Sequence, residues 1–284
     1  MDIAFGMRLK IGMGQLLVEG GEPERNIERA GRMVADAAVQ GCDIILLPEC
    51  LDLAWTHPSC LTDAMPLPGP RSDQMAEFAR QHGIYICCGL TERDQDKVYN
   101  AAILIDDLGN ILTKYRKINV LEVAADMYSV GQSISVVDTK FGKIGINICS
   151  DNYADALDIG YVLARMGAQI ILSPSSWTVE YSVIDGTDPY GDKWQKPYQT
   201  LADLFNLVIV SATSVGTIVG GPYEGMKMVG CSLAVGPNQV LAKSDYNEVS
   251  GALTVISIEV PTPSRKGTQI GRYLAEQNAL AGRK

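Results

Sequence analysis

The segment GCDIILLPE, residues 41–49, decides which class of fold the chain can adopt. Gly41 ends a helical pattern in which Ile27, Ala30 and Val34 recur on one face. The apolar run that follows has no polar alternation, which is typical of a strand buried on both faces. Helices and buried strands that follow one another in this way indicate an α/β fold.

A second segment, GAQIILSPS at residues 167–175, parallels the first in sequence. It also follows a helical pattern, which includes Ile159 and Leu163. Two interpretations are open: any buried strand after a helix looks like this, or the segments form a pseudo-repeat whose strand ends open onto one cleft. Further strand patterns, with no linker between them, predict a layered α/β domain of two sheets with helices on their outer faces.

The composition of the 284-residue chain excludes several classes of function. The chain has 33 acidic and 24 basic residues and a net charge of −9. Because no stripe of Lys and Arg is present, nucleic acid is not expected as a partner. No apolar stretch approaches membrane-spanning length, and no signal-peptide pattern precedes the first strand. Seven cysteines without disulfide-module spacing predict a reduced, cytoplasmic protein.

Metal and dinucleotide sites are also disfavoured. The two histidines, His57 and His82, lie in unrelated segments, and the chain lacks a C-x-x-C pair. Gly12 and Gly14 are followed by Leu17 where the dinucleotide motif requires a third glycine. We therefore expect neither a metal nor a nucleotide cofactor.

Three polar residues follow apolar runs, and each has a chemical and a structural interpretation. Glu49 is either a desolvated general base or the first residue of a solvated loop. Lys117 is either an oxyanion-stabilising ammonium or one of several cations at a solvated strand edge. Cys149 is either a buried structural thiol or a nucleophile, and in the second case helix-terminal N–H groups and a nearby lysine are expected to lower its pKa.

These three residues lie in segments that resemble the signature segments of the nitrilase superfamily of carbon–nitrogen hydrolases. The segments are LLPE at residues 46–49, YRK at 115–117 and GINICSD at 145–151, in the order and spacing of that family. The stretch MGAQIILSPSSW, residues 166–177, is similar to the family's sequence after the nucleophile. The resemblance covers nearly the whole chain.

The resemblance implies a four-layer α-β-β-α sandwich formed by residues 1–260, no cofactor, and a homodimer or larger homo-oligomer. Residues 261–284 are then a tail on the surface or at a subunit interface. Cys149 becomes the nucleophile, Glu49 the general base and Lys117 the stabiliser of the tetrahedral intermediate. The implied reaction hydrolyses a non-peptide C–N bond of a small amide, carbamoyl or ureido compound through a thioester, with release of ammonia or an amine.

Two departures from the family pattern bear on this assignment. Relatives often carry a second Glu between the Lys and the Cys; here Glu122 and Asp126 are both candidates, and we take Glu122 as the supporting acid. Nitrile-cleaving relatives tend to show Trp and then Glu after the cysteine, whereas this chain has Ser150 and Asp151, which favours an amide-type substrate. Nitrile hydrolysis, acyl transfer and a non-catalytic binding role are the alternatives.

Substrate-binding residues are predicted on the loops near the strand ends. Tyr153, Trp177 and Tyr128 are the aromatic candidates, and each is otherwise a packing residue. Ser175 is either a hydroxyl donor to the substrate or part of a turn. Residues 185–190 and the aromatic residues beyond them are either a lid or the surface of a helix.

Overall fold

Two six-stranded mixed sheets form the centre of the protein, which the computed structural model describes over residues 7–262. In spatial order, the first sheet contains β15 (Ala252–Glu259), β1 (Arg8–Gln15), β2 (Ile44–Leu46), β3 (Tyr85–Asp94), β4 (Lys97–Ile105) and β5 (Ile111–Arg116). The second contains β14 (Gln239–Lys243), β13 (Leu233–Gly236), β10 (Val208–Thr213), β8 (Ile170–Ser175), β7 (Gly142–Ile146) and β6 (Val136–Thr139). A smaller sheet contains β11 (Val215–Thr217), β12 (Lys227–Val229) and β9 (Thr178–Val179).

Five α-helices occur among these residues, and most lie where the apolar patterns predict them. They are α1 (Pro23–Val39), α2 (Cys60–Asp63), α3 (Pro70–His82), α4 (Asp158–Arg165) and α5 (Asp192–Phe205). The side chains of Trp194 and Tyr198 are buried in α5, so they do not form an exposed helix surface, whereas residues 185–190 form a largely exposed loop before this helix.

The helix whose apolar pattern includes Ile159 and Leu163 begins only some residues after Cys149. Residues 149–152 form a short 3₁₀ turn, and α4 starts only at Asp158. Inside the turn, the Asp151 carboxylate accepts a hydrogen bond from the backbone N–H of Ile148, and Asn152 pairs with Asn147. Such local side-chain bonds compete with the helical hydrogen-bond ladder, which explains the interruption.

The two large sheets share one pairing scheme. In the first, β1, β2 and β3 are mutually parallel, with β2 in the middle, and antiparallel strands flank them. In the second, β7, β8 and β10 are parallel in the same way, with β8 in the middle. The similar segments 41–49 and 167–175 therefore contain the equivalent central strands, in agreement with the pseudo-repeat interpretation.

Alternating side chains of β2 show how the layers are packed. Ile44 and Leu46 belong to the cluster shared with the second sheet, whereas Ile45 and Leu47 pack with residues of α1 and α3. All four are fully buried, and each contributes roughly 1.5–3 kcal/mol of hydrophobic stabilisation. On the far side, α4 and α5 contact each other, and α5 covers β10 and β13 of the second sheet.

The structure of residues 7–262 bears on the expectations about membrane spans, metal sites and cysteines. In that range no helix is long and apolar enough to cross a bilayer. No group of three or more His, Cys, Asp and Glu side chains is arranged to hold a metal ion there. All seven cysteines are free and buried. Of the predicted tail, residues 263–284 lie outside the described residues.

The ends of three strands position the three candidate side chains. Glu49 follows β2, Lys117 follows β5, and Cys149 follows β7 after two further residues. The N–H of Glu49 donates a 3.2 Å hydrogen bond to the carbonyl of Ser175, which joins the ends of the two equivalent strands β2 and β8. The pseudo-symmetry thus brings both strand ends to one place.

Gly89 of β3 provides the space in which the Glu49 segment lies. Its N–H donates to the carbonyl of Pro48, and its carbonyl accepts from the N–H of Leu51, both at 2.9 Å. A Cβ atom at this position would lie 2.5 Å from the Cα of Glu49 and 2.9 Å from the backbone nitrogen of Cys50. No flexible side chain can move aside, so a substitution must displace the backbone that carries Glu49.

We expect Gly89→Ala to lower the free energy of unfolding by about 2 kcal/mol and to misplace Glu49, because overpacking against backbone forces a shift. Denaturant unfolding and turnover of an amide substrate measure the two effects. Gly236→Ala in β13 is the matched control, since its Cβ meets only the side chain of Leu241, at 3.2 Å or more. Equal stability and activity of the Gly89 and Gly236 variants would contradict this account.

Candidate active site

Glu49 is a fully buried carboxylate whose two oxygens have different surroundings. Oε1 accepts hydrogen bonds from Lys117 Nζ at 2.7 Å and from Asn100 Nδ2 at 2.6 Å. Oε2 is buried and has no hydrogen-bond partner among the described residues. The interpretation of Glu49 as a solvated loop residue is therefore wrong. The carboxylate is held through one oxygen and leaves the other available to accept a proton.

Lys117 is equally buried, with 2% of its surface exposed. Its backbone is held on both sides, because its N–H donates to the carbonyl of Asn100 and its carbonyl accepts from the N–H of Gly131, both at 2.8 Å. Burial alone would lower the pKa of the ammonium, but the negative charges of Glu49, Cys149 and Asp151 outweigh it and raise the pKa. Lys117 is thus a buried cation and not part of a solvated strand edge.

Cys149 begins the 3₁₀ turn after β7 in a left-handed backbone conformation, with φ of +45°. A non-glycine residue adopts this conformation only when its surroundings impose it, at a cost of order 1 kcal/mol or more. Side-chain hydrogen bonds hold the turn: Ser150 Oγ donates to the carbonyl of Asn119 at 2.7 Å, and Asn152 Nδ2 donates to Ser173 Oγ at 2.9 Å. The turn is therefore fixed to two neighbouring segments.

The expectation that the thiol pKa of Cys149 is lowered is wrong. Burial and the negative charge of Glu49 raise it to about 12, although Lys117 and a hydrogen bond from the backbone of Ser176 act in the opposite direction. A helix dipole contributes little here, because a four-residue 3₁₀ turn follows the cysteine in place of a helix. At neutral pH the group is a neutral thiol beside a carboxylate, which requires a base before it can act as a nucleophile.

The supporting acid predicted between Lys117 and Cys149 is not at the site. Glu122 begins a 3₁₀ turn, Glu122–Ala124, and both it and Asp126 are exposed to solvent. Neither side chain forms a hydrogen bond or ion pair with the buried groups in the described part of the chain. An exposed carboxylate is screened by water and cannot orient a buried ammonium. Glu122 is therefore not the supporting acid, and Asp126 does not replace it.

Other polar residues that the sequence analysis missed do contact the buried groups. Asn100 donates to Glu49, as described above, and Ser176 Oγ donates to the carbonyl of Glu49 at 3.2 Å. The 3₁₀ turn that begins at Cys149 is called the nucleophile turn below. Asp151 in this turn is buried and accepts hydrogen bonds from Ile148 at the start of the turn and from the segment around Lys117. A signal for Asn100 existed, because it is a polar residue within the otherwise apolar run of β4.

Two of the predicted substrate-binding aromatics lie in a continuous stack next to the nucleophile turn. The ring of Tyr153 stacks on Trp194 at 5.0 Å between centroids, and Trp194 stacks on Trp177 at 4.7 Å. Burial raises the pKa of Tyr153, and the charges of Cys149 and Glu49 add to the shift. Trp177 is only 2% exposed, whereas Tyr153 is half-buried. Tyr153 is thus the most exposed member of the stack, and the buried charges act on its hydroxyl.

The other two predicted binding residues make internal contacts. Tyr128 is 3% exposed, packs in a separate cluster with Trp55 and accepts a weak hydrogen bond from the Cys50 thiol at 3.8 Å. Ser175 lies inside β8, not in a turn, and its hydroxyl is 2.8 Å from that of Ser211. Both side chains therefore contact other protein groups. The carbonyl of Ser175 also accepts the hydrogen bond from the N–H of Glu49.

Comparison with known proteins identifies the family. A family model described as carbon–nitrogen hydrolase matches residues 10–260. The chain belongs to the carbon–nitrogen hydrolase family. The matched residues include nearly all of the two large sheets, the five described helices and every candidate catalytic residue.

Curated relatives of this carbon–nitrogen hydrolase are named after more than one substrate type. An omega-amidase of Xenopus laevis is 27% identical over 265 residues, which cover 89% of this chain and 88% of the relative. A protein named nitrilase from Pyrococcus abyssi is 28% identical over 233 residues, which cover 80% of this chain and 81% of the relative.

Solved structures of an amidase have the same fold. An amidase from Nesterenkonia sp. superposes with a TM-score of 0.75 at 20% identity, covering 97% of each chain. A mutant of the amidase from Nesterenkonia sp. AN1 in complex with butyramide gives a TM-score of 0.75 at 19% identity, covering 100% of this chain and 99% of that one. Both are mixed α/β folds of the nitrilase superfamily type, as expected from the sequence.

The raised pKa of Cys149 predicts how its alkylation depends on pH. Because the thiolate is the reactive form and its fraction rises about tenfold per pH unit below the pKa, we expect the iodoacetamide rate at Cys149 to rise continuously from pH 7 to pH 10. Lys117→Met should slow it further, since removing the cation raises the thiol pKa. Peptide mass spectrometry measures the modified fraction at each pH. A plateau reached by pH 8 would contradict the raised pKa.

Proposed function

We propose that the protein hydrolyses a small amide, carbamoyl or ureido compound through a thioester on Cys149 and releases ammonia or an amine. The observation that supports this most directly is the buried Glu49–Lys117 pair at 2.7 Å beside the Cys149 thiol, with one Glu49 oxygen unpartnered. A buried charge pair is costly to maintain, so its presence at a nucleophile favours a chemical role over a purely structural one.

Acylation uses the two oxygens of Glu49 differently. Oε2 takes the proton of the Cys149 thiol while sulfur attacks the carbonyl carbon of the substrate. The developing oxyanion is stabilised by the Lys117 ammonium, a contribution of about 3–4 kcal/mol for one such donor. Glu49 then delivers the same proton to the leaving nitrogen, the C–N bond breaks, and the thioester remains on Cys149.

Deacylation repeats these steps with water. Glu49 accepts a proton from water while the resulting hydroxide attacks the thioester carbonyl, and Lys117 again faces the oxyanion. Collapse of the intermediate breaks the C–S bond, and Glu49 returns the proton to the sulfur of Cys149. The sum is one amide and one water converted into one acid and one amine, with the enzyme unchanged.

An amide fits the site better than a nitrile. Amide hydrolysis needs one proton carried from the thiol to the leaving nitrogen, which a single carboxylate performs. The sequence that follows the nucleophile, Ser150 and Asp151, also differs from the pattern of nitrile-cleaving relatives. The amidase complex with butyramide supports a small amide by analogy. Nitrile hydrolysis and acyl transfer are the outcomes against which a substrate panel has to test this proposal.

The scaffold we propose is the four-layer α-β-β-α sandwich, with residues 1–260 as one catalytic domain. The packing of α1 and α3 on the first sheet and of α5 on the second supports it. Assembly as a homodimer or larger homo-oligomer and a cytoplasmic location are further proposals, which rest on the resemblance and on seven free cysteines respectively. Analytical ultracentrifugation tests the first of these two.

Cys149→Ala is expected to remain folded and to lose hydrolysis by about 10⁴-fold or more, because the reaction then lacks its nucleophile. Ammonia release from short aliphatic amides, carbamoyl and ureido compounds and matching nitriles measures the activity, with hydroxylamine as a competing acceptor. Cys231→Ala is the matched control, since that cysteine is also buried and free. Turnover that survives in the Cys149 variant would eliminate the proposal.

Tyr153 and Tyr128 offer a paired test of substrate contact. We expect Tyr153→Leu to raise KM by roughly tenfold, because removing an aromatic wall costs about 1–2 kcal/mol of apolar contact. Tyr128→Phe should leave KM unchanged and cost about 1 kcal/mol of stability, since in the described structure its hydroxyl contacts internal groups: the Cys50 and Cys60 thiols and the backbone of Thr56. Steady-state kinetics distinguishes them, and the opposite pattern would reverse the two assignments.

A further inference from the structure

Asp151, two residues after the nucleophile, is a fully buried carboxylate. Its Oδ2 accepts hydrogen bonds from the hydroxyl of Tyr115 at 2.8 Å and from the N–H of Ile148 at 2.9 Å. Its Oδ1 accepts from the backbone N–H and the side-chain amide of Asn119, both at 3.0 Å. The donors come from both sides of Lys117 and from the nucleophile turn, so one side chain joins the two segments.

The hydrogen bonds show that Asp151 is ionised. Three of its four donors are N–H groups, which cannot accept a proton in return. The fourth, the Tyr115 hydroxyl, already accepts from the N–H of Ile118 at 3.1 Å. A protonated Asp151 would thus lack a good acceptor for its own hydrogen. Burial raises the pKa of this carboxyl above its ordinary value, and Lys117 and these donors offset only part of that shift.

The charge of Asp151 becomes important when Glu49 changes its protonation state. The charged and titratable groups that act on Lys117 in the described structure include Glu49, Cys149, Asp151 and the phenol of Tyr153, and the ring of Trp55 lies 5.9 Å from its ammonium. Once Glu49 holds a proton it loses its negative charge, and the sulfur of Cys149, neutral as a thiol, stays neutral when bonded to carbon; the new negative charge lies on the oxyanion of the substrate. A buried ammonium without a counterion tends to release its proton. Among these side chains, Asp151 is then the one that stays anionic, beside the transient oxyanion of the substrate.

We propose that Asp151 is a positioning residue of the reaction: it fixes Lys117 against the nucleophile turn and supplies the negative charge that keeps Lys117 protonated while Glu49 carries the proton. The sequence analysis assigned the role of supporting acid to Glu122, whose side chain is too exposed to solvent to perform it. The inference rests on the proposed amide hydrolysis, and Asp151 acts through Lys117 without touching the substrate.

The test compares Asp151→Asn with Tyr115→Phe in pH profiles of kcat on the best amide. Lys117 acts when protonated, so a lowered ammonium pKa removes activity from the alkaline side. We expect the basic limb of Asp151→Asn to move to lower pH by about one unit, together with a fall in kcat of about tenfold or more at pH 7. Tyr115→Phe removes one tether but keeps the charge, so its kcat falls without moving the limb. Asp151→Glu should return the limb toward its wild-type position. A basic limb at the same pH in Asp151→Asn and the wild type would overturn the inference.

A second measurement does not depend on how Asp151 variants fold or on amide turnover. Glu49→Gln removes the first counterion, and iodoacetamide alkylation then reports the pKa of Cys149. If Asp151 keeps Lys117 charged, the double variant Glu49→Gln/Lys117→Met shows a higher Cys149 pKa than Glu49→Gln alone. Equal values would mean that Lys117 is already neutral, which overturns the inference. A wild type that turns over no amide refutes the proposed function alone, because this alkylation comparison needs no turnover and still tests whether Lys117 stays charged without Glu49.

Discussion

The ion pair between Lys117 and Glu49 is the constraint on which the rest of the structure depends. Both side chains are removed from water, and the desolvation of each ion costs several kcal/mol, which only close contact and further hydrogen bonds offset. Asn100 supplies one of those bonds, at 2.6 Å from the same Glu49 oxygen. Breaking such a pair leaves one uncompensated buried charge, typically at a cost of about 3–5 kcal/mol. The fold must therefore deliver both groups together.

Pseudo-symmetry is the means by which the fold does this. The ends of β2 and β8 occupy equivalent places in two sheets of the same pairing scheme, and the bond from the Glu49 N–H to the Ser175 carbonyl joins them. Gly89 makes the approach possible, since any side chain there would strike the backbone of Glu49. Residues far apart in sequence converge because each follows the end of a strand, where the backbone leaves the sheet and side chains can face a common space.

The sequence predicted the convergence but not the electrostatics that result from it. Buried strands and helices are visible as apolar patterns, and the residues that follow them carry the family motifs, so Glu49, Lys117 and Cys149 could be named in advance. The thiol pKa could not, because it depends on burial and on the distance to Glu49, neither of which a linear pattern contains. Glu122 failed for the same reason: spacing placed an acid in the right interval, but the chain directs it to solvent. The presence of Asp151 could be read from the sequence, but its hydrogen bonds could not. Three of its four donors belong to residues more than thirty positions away, and the fourth is the N–H of Ile148 next to its own turn.

The two oxygens of Glu49 have surroundings that suit the two roles proposed for it, structural anion and base. A carboxylate whose lone pairs are all occupied by donors is a poor base, because protonation must break one of those bonds. Here the ammonium of Lys117 and the amide of Asn100 converge on Oε1, while Oε2 has no partner in the described structure. Proton transfer at Oε2 consequently need not displace Lys117, so the cation keeps its position when the charge it was paired with disappears. In the proposed reaction, that separation makes the neutral thiol of Cys149 a usable nucleophile: its proton has a nearby acceptor, and the oxyanion that forms next has a cation already in place.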